Sequence, residues 1–144
     1  MKLHFFGCGS AFNPAMGNTS AWFEMDGCLF LVDCGETVYE LLMKRSNLRE
    51  YRQIYVLLTH LHADHVGSLG SLISYNYCIL GRKICVIHPR ATVVSFCGLW
   101  ASRMNFTIIT RNFRRTRAVL GLNRCRWSMR TIWTASGTFW RQRG

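Results

Sequence analysis

Thr59-His60-Leu61-His62-Ala63-Asp64-His65-Val66-Gly67 is the stretch on which the reading of this chain turns. Between His60 and His65 fall three of the chain's five histidines and one of its seven acids. Just before it, Gln53–Leu58 is apolar almost throughout, with Ile54, Val56, Leu57 and Leu58, the pattern of a strand buried on both faces. Thr59–His65 is therefore expected as a polar loop at that strand's carboxyl end, where α/β sheets gather their ligands. In extended backbone, positions two apart point the same way, so His60 and His62 can clamp one metal ion. Asp64 and His65 project differently and can hold a second. Imidazole and carboxylate suit zinc, and they suit other first-row metals too. Two ions about 4 Å apart can share a hydroxide that attacks a phosphoryl or acyl centre.

The flanking segments build a sheet around this loop. Lys2–Phe6 reads as a short strand ended by Gly7-Cys8-Gly9-Ser10. Ala21–Met25 and Leu29–Asp33 lie on either side of Asp26-Gly27, a strong hairpin signal. Thr37-x-x-Glu40 predicts a capping box opening a helix over Val38–Arg45, with Val38, Leu41 and Leu42 as its apolar stripe. Ser68–Leu80 reads as a second helix and Lys83–Ile87 as another buried strand, closed by His88-Pro89. The order β-β-β-α-β-α-β predicts an α/β layer.

The ligand run resembles the His-x-His-x-Asp-His signature of the metallo-β-lactamase fold hydrolases. Leu31-Val32-Asp33-Cys34-Gly35-Glu36 is similar to that family's strand ending in Asp-Cys-Gly, and Gly7-Cys8-Gly9-Ser10-Ala11, Asn18-Thr19-Ser20 and His88-Pro89 extend the likeness over roughly residues 1–89. Together these look most like the ribonuclease Z-like branch. The resemblance implies the N-terminal half of an αββα sandwich and a dizinc hydrolase of phosphodiesters or related esters, with RNA among the candidate substrates. It implies His60 and His62 as ligands of the first Zn²⁺, Asp64 and His65 as ligands of the second, Asp64 as proton acceptor, and Asp33 as the partner that orients a ligand histidine. The family takes a third histidine, a bridging aspartate and a last histidine from downstream strands. Here only His4 and His88 stand outside the run, no acid follows Asp64, and both histidines read as structural. This chain is therefore expected to be impaired as an enzyme.

The charge is split along the chain. Net charge is +11, yet residues 1–65 carry all seven acids and only five Lys or Arg, whereas residues 66–144 carry thirteen basic residues and no acid. From Arg90 onward every basic residue is Arg, and four of the five Trp lie there. Two explanations compete: a nucleic-acid arm that uses phosphate contacts and stacking, or a segment read out of frame. Selected basic surfaces mix in Lys and acids for solubility. In the shifted frame Met104-Asn105 reads Glu and Trp133-Thr134 reads Asp, so acids reappear. The expected organisation is a metal-binding unit over 1–89 and a basic, poorly ordered, frameshifted tail over 90–144, the sandwich half being truncated there. A nucleic-acid-binding module is the alternative.

Other classes are excluded. No apolar run approaches the roughly 20 residues of a membrane helix. Seven cysteines without a Cys-x-x-Cys pair argue for reduced thiols packed as small hydrophobes and for a cytoplasmic protein. Gly7-x-Gly9 lacks the third glycine of a dinucleotide fingerprint, and there is no Gly-x-Ser-x-Gly elbow.

Overall fold

The computed structural model describes residues 2–90, 92–101 and 107–109. Six strands form one sheet in chain order: β1 (His4–Gly7), β2 (Ser20–Met25), β3 (Cys28–Val32), β4 (Gln53–Leu57), β5 (Cys85–Ile87) and β6 (Thr107–Ile109). The first three pair antiparallel and β3 through β6 pair parallel. Antiparallel neighbours need only turns. The β2–β3 turn places Asp26 at φ 51° and Gly27 at φ 70°, the left-handed pair that matches a hairpin's twist. Parallel neighbours need crossovers. These are α1 (Val38–Arg45) between β3 and β4, α2 (Ala63–Val66) and α3 (Leu69–Cys78) between β4 and β5, and α4 (Thr92–Ala101) between β5 and β6.

The strands alternate cleanly between two cores. Leu29, Leu31, Ile54, Val56, Leu58, Ile84 and Val86 join Val38, Leu42, Leu69 and Leu72 of α1 and α3 in the main cluster. The intervening Cys28, Phe30, Tyr55 and Cys85 form a second cluster. There the rings of Phe23, Phe30 and Tyr55 stack in a ladder with centroids 4.8 and 4.7 Å apart. Strand β4 is thus buried on both sides, as its unbroken apolar run predicts. No helix among the described residues is long and apolar enough to cross a membrane. The six described cysteines are free thiols.

Three local details differ from expectation. The capping box does not form. Thr37 is itself helical (φ −86°, ψ −13°) and makes no side-chain cap. Its Oγ1 instead donates to Asn18 Oδ1 (3.1 Å) and accepts from Asn18 N (3.0 Å), while Glu40 pairs with Lys44 one turn on, which lowers its pKa. Next, the expected loop Thr59–His65 turns helical at Ala63. Finally, the fold does not end where the composition changes: α4 lies beyond Arg90, and β6 pairs with β5 through Cys85–Thr107, Val86–Ile108 and Ile87–Ile109. Most of the segment expected to be frameshifted and poorly ordered, residues 110–144, lies outside the described residues.

Candidate metal centre

The sheet register builds the site. Val32 of β3 pairs with Leu57 of β4. One step on, the Asp33 amide donates to the Leu57 carbonyl at 2.8 Å, and the Leu58 amide donates to that of Ile87 at 2.9 Å. The carboxyl ends of β3, β4 and β5 are therefore level, and the residues leaving them share one edge of the sheet. Asp33 leaves β3 in the left-handed region, φ 63°, a conformation that aspartate tolerates better than most residues. That bend turns its carboxylate onto the β4 exit. Asp33 is 3% exposed. Its Oδ1 accepts from the Thr59 amide at 2.8 Å, and its Oδ2 lies 2.8 Å from both Thr59 Oγ1 and His65 Nδ1.

Beyond Thr59 the chain carries His60 and His62 in extended backbone, with His62 ending at φ −74°, ψ 155° as the N-cap of α2. Helix α2 then lifts Asp64 and His65 back over the same point. Donor atoms of His60, His62 and Asp64 all lie within 4.8 Å of one another. His65 Nε2 lies 3.4 Å from Asp64 Oδ2. The rings of His60 and His65 are 3.9 Å apart, and those of His60 and His62 are 4.6 Å apart. All four run residues thus meet, with Asp64 beside both groups. The imidazole–carboxylate donor set fits a divalent ion, and the cluster of His60, His62 and Asp64 could hold one. Asp33 contacts His65 Nδ1, which leaves the Nε2 edge of that ring facing Asp64.

A second loop braces this arrangement from below. The Cys34 amide donates to the His65 carbonyl (2.7 Å), and the Ser68 amide donates to that of Cys34 (3.1 Å). Ser68 Oγ donates to the Gly35 carbonyl (2.5 Å) and accepts from the Tyr39 amide (3.0 Å), tying the starts of α1 and α3 together. Cys34 is fully buried beside it, and burial pushes its thiol up to about 12. Gly35 is obligatory on steric grounds, because a Cβ there would sit 2.0 Å from the Asp64 carbonyl oxygen.

His4 and His88 are not in the donor group that could hold an ion among the described residues. His4 stacks on Trp22 with ring centroids 4.4 Å apart. His88 is buried after β5, its Nδ1 against the Arg90 main chain at 2.9 and 3.1 Å. Sequence reasoning overlooked Thr59 and Ser68 as parts of the site. Both are small hydroxyl residues next to the run, and that position is the only signal they carry.

Comparison with known proteins gives a consistent set of likenesses. The family described as Anti-Pycsar protein Apyc1 matches residues 1–117. An Anti-Pycsar protein Apyc1 of Bacillus phage 010DV004 is 36% identical over 110 residues, which span 72% of this chain and 40% of that protein. A ribonuclease Z of Bacteroides thetaiotaomicron is 39% identical over 83 residues, 56% of this chain and 25% of that one. Among solved structures, the metallo-β-lactamase fold protein YhfI from Bacillus subtilis superposes with a TM-score of 0.62 at 22% identity, over 75% of this chain and 44% of that one. The chain spans about 40% of the phage relative's length.

Proposed function

The chain belongs to the Anti-Pycsar protein Apyc1 family and has the metallo-β-lactamase fold with ribonuclease Z relatives, and from that premise we propose that it carries the metal-binding part of a phosphodiesterase site. The observation that carries this reading is the convergence of His60, His62 and Asp64 donor atoms within 4.8 Å, with His65 Nε2 beside Asp64. His60 and His62 would hold one Zn²⁺, and Asp64 and His65 a second. Bound ions supply Lewis-acid neutralisation of phosphoryl charge and acidify water.

The chain's own residues do the rest. Asp33 holds His65 in one orientation. Asp64, partly exposed at the sheet edge, accepts a proton from the attacking water at its carboxylate. A cyclic nucleotide is proposed as the first substrate class, a small phosphodiester put forward alongside the Anti-Pycsar protein Apyc1 family that residues 1–117 match. RNA is the second, favoured by the ribonuclease Z relatives. After His65 these 144 residues contain no further acid and only one more histidine, His88, so they are proposed to be weakly active at most on their own. The alternative, a nucleic-acid-binding module in the basic part, rests mainly on residues outside those described.

Metal analysis of the dialysed chain tests this directly. Wild type is expected to retain zinc, and His62→Ala to lose it. Substrate class is read by incubating zinc-loaded protein with 3′,5′-cyclic nucleotides and with a structured RNA. Metal-free protein that hydrolyses either substrate as fast as the loaded form would sink the reading. Rapid turnover by the chain alone would refute the impairment.

A further inference from the structure

We propose that Thr59 is a positioning residue whose single hydroxyl proton fixes which ring nitrogen His60 presents to the site. Its consequence for metal binding rests on the reading above, whereas its geometry does not. Thr59 is the second residue beyond β4, and its Oγ1 has two close partners besides a longer contact of 3.5 Å with His65 Nδ1. It lies 2.8 Å from Asp33 Oδ2 and 3.0 Å from His60 Nδ1. A threonine hydroxyl has one proton to give, and an ionised carboxylate can only accept. If the proton pointed at His60, two oxygen lone pairs would face each other at the Asp33 contact. The proton therefore goes to Asp33.

The hydroxyl oxygen then has only lone pairs left for His60. Its contact with His60 Nδ1 is a hydrogen bond only if Nδ1 carries the hydrogen. His60 is thereby set as the Nδ1–H tautomer, with the Nε2 lone pair left free to bind. Asp33 acts on His65 in the same way without an intermediary, since its Oδ2 lies 2.8 Å from His65 Nδ1. One buried carboxylate thus orients two imidazoles, His65 directly and His60 through Thr59. The Thr59 amide, bonded to Asp33 Oδ1 at 2.8 Å, keeps the carboxylate from rotating out of this role. Valine at position 59 keeps the branched shape and deletes the relay. Serine keeps the relay and deletes only a methyl.

Long-range ¹H–¹⁵N spectra of the metal-free 144-residue chain read the tautomer of His60. Wild type and Thr59→Ser are expected to show the Nδ1–H form, and Thr59→Val to shift towards Nε2–H. Competition with a chromophoric zinc chelator gives the second readout. Thr59→Val is expected to weaken binding by about 10- to 100-fold, the range seen when a ligand's outer partner is lost, and Thr59→Ser to stay close to wild type. An unchanged tautomer in Thr59→Val, or zinc affinity equal to that of a zinc-binding wild type, overturns the proposal. A wild type that binds no zinc defeats the metal reading instead, and the spectra still decide the role of Thr59. Should Thr59→Val fail to fold by circular dichroism, the wild-type spectrum decides alone: His60 in the Nε2–H form overturns the proposal.

Discussion

Asp33 Oδ2 lies 2.8 Å from His65 Nδ1, although the two residues are 32 positions apart in the chain. The contact exists because β3 and β4 are parallel and in register, so that the exits from both strands meet at one edge. Asp33→Asn isolates the role of the carboxylate, since asparagine also tolerates the left-handed backbone at φ 63°. The amide has one oxygen for three donors: at the Oδ1 position it leaves Thr59 Oγ1 and His65 Nδ1 without an acceptor, and at the Oδ2 position it leaves the Thr59 amide without one. Zinc affinity is expected to fall by about 10- to 100-fold with the far-UV spectrum unchanged. Chelator competition and circular dichroism measure the two effects.

The close approach of Gly35 to the ligand run yields a stability prediction. In Gly35→Ala the new Cβ would lie 2.0 Å from the Asp64 carbonyl oxygen and 2.7 Å from Asn18 Cβ. Backbone, not a flexible side chain, must move. The expected cost is about 1–3 kcal/mol from overpacking, with weakened zinc binding because Asp64 is displaced. Gly27→Ala is the control. Its Cβ meets nothing within 4 Å, so only the backbone at φ +70° resists, at about 1–2 kcal/mol and with zinc affinity unaffected. Urea unfolding of both variants tests the contrast.

Leu58 ties the core to the site, being 1% exposed in the main cluster and immediately before Thr59. Leu58→Ala is expected to destabilise the fold by about 2–5 kcal/mol through lost burial and a residual cavity. Leu72→Ala, equally buried on α3, should cost a similar amount. If urea midpoints show either variant within about 0.5 kcal/mol of wild type, the range of ordinary surface substitutions, the packing described for the main core is wrong.

Features set by neighbouring residues were legible in the sequence. Helix α1 spans the expected Val38–Arg45 although the capping box taken as its start signal does not form, Asp26-Gly27 marked the hairpin, and the unbroken apolar run predicted β4. The density of His60, His62, Asp64 and His65 marked them as a candidate ligand cluster, and their side chains do lie together. What escaped was tertiary. Thr37 has the local signature of a helix cap, but Asn18, 19 positions earlier, competes for its hydroxyl and wins. The turn of helix at Ala63–Val66 has no periodicity to betray it, because four residues are too few. Thr59 read only as the first residue of a polar loop, since its role depends on a carboxylate brought in from β3. Composition placed a break at Arg90, yet β6 pairs in register beyond it, because strand pairing needs backbone and not acids.

The thiols give a test of burial that is independent of the metal. Burial pushes Cys34 up to about 12 and Cys97 up to about 11, against an ordinary value of 9.0, whereas Cys8 and Cys78 are exposed. Iodoacetamide at pH 8 should alkylate Cys8 and Cys78 and spare Cys34 and Cys97 until denaturant is added, as peptide mass spectrometry would show. The same shifts set an alkaline limit. A thiol whose folded value lies above its unfolded one contributes fully below pH 9 and loses that contribution as pH rises towards 11 and 12. Each such thiol costs on the order of 1 kcal/mol per pH unit across that window. Stability should therefore fall above pH 9, and Cys97→Ala should fall less steeply than wild type. Rapid alkylation of Cys34 in the native chain would show that the β3–α1 loop is not packed against the ligand run as described.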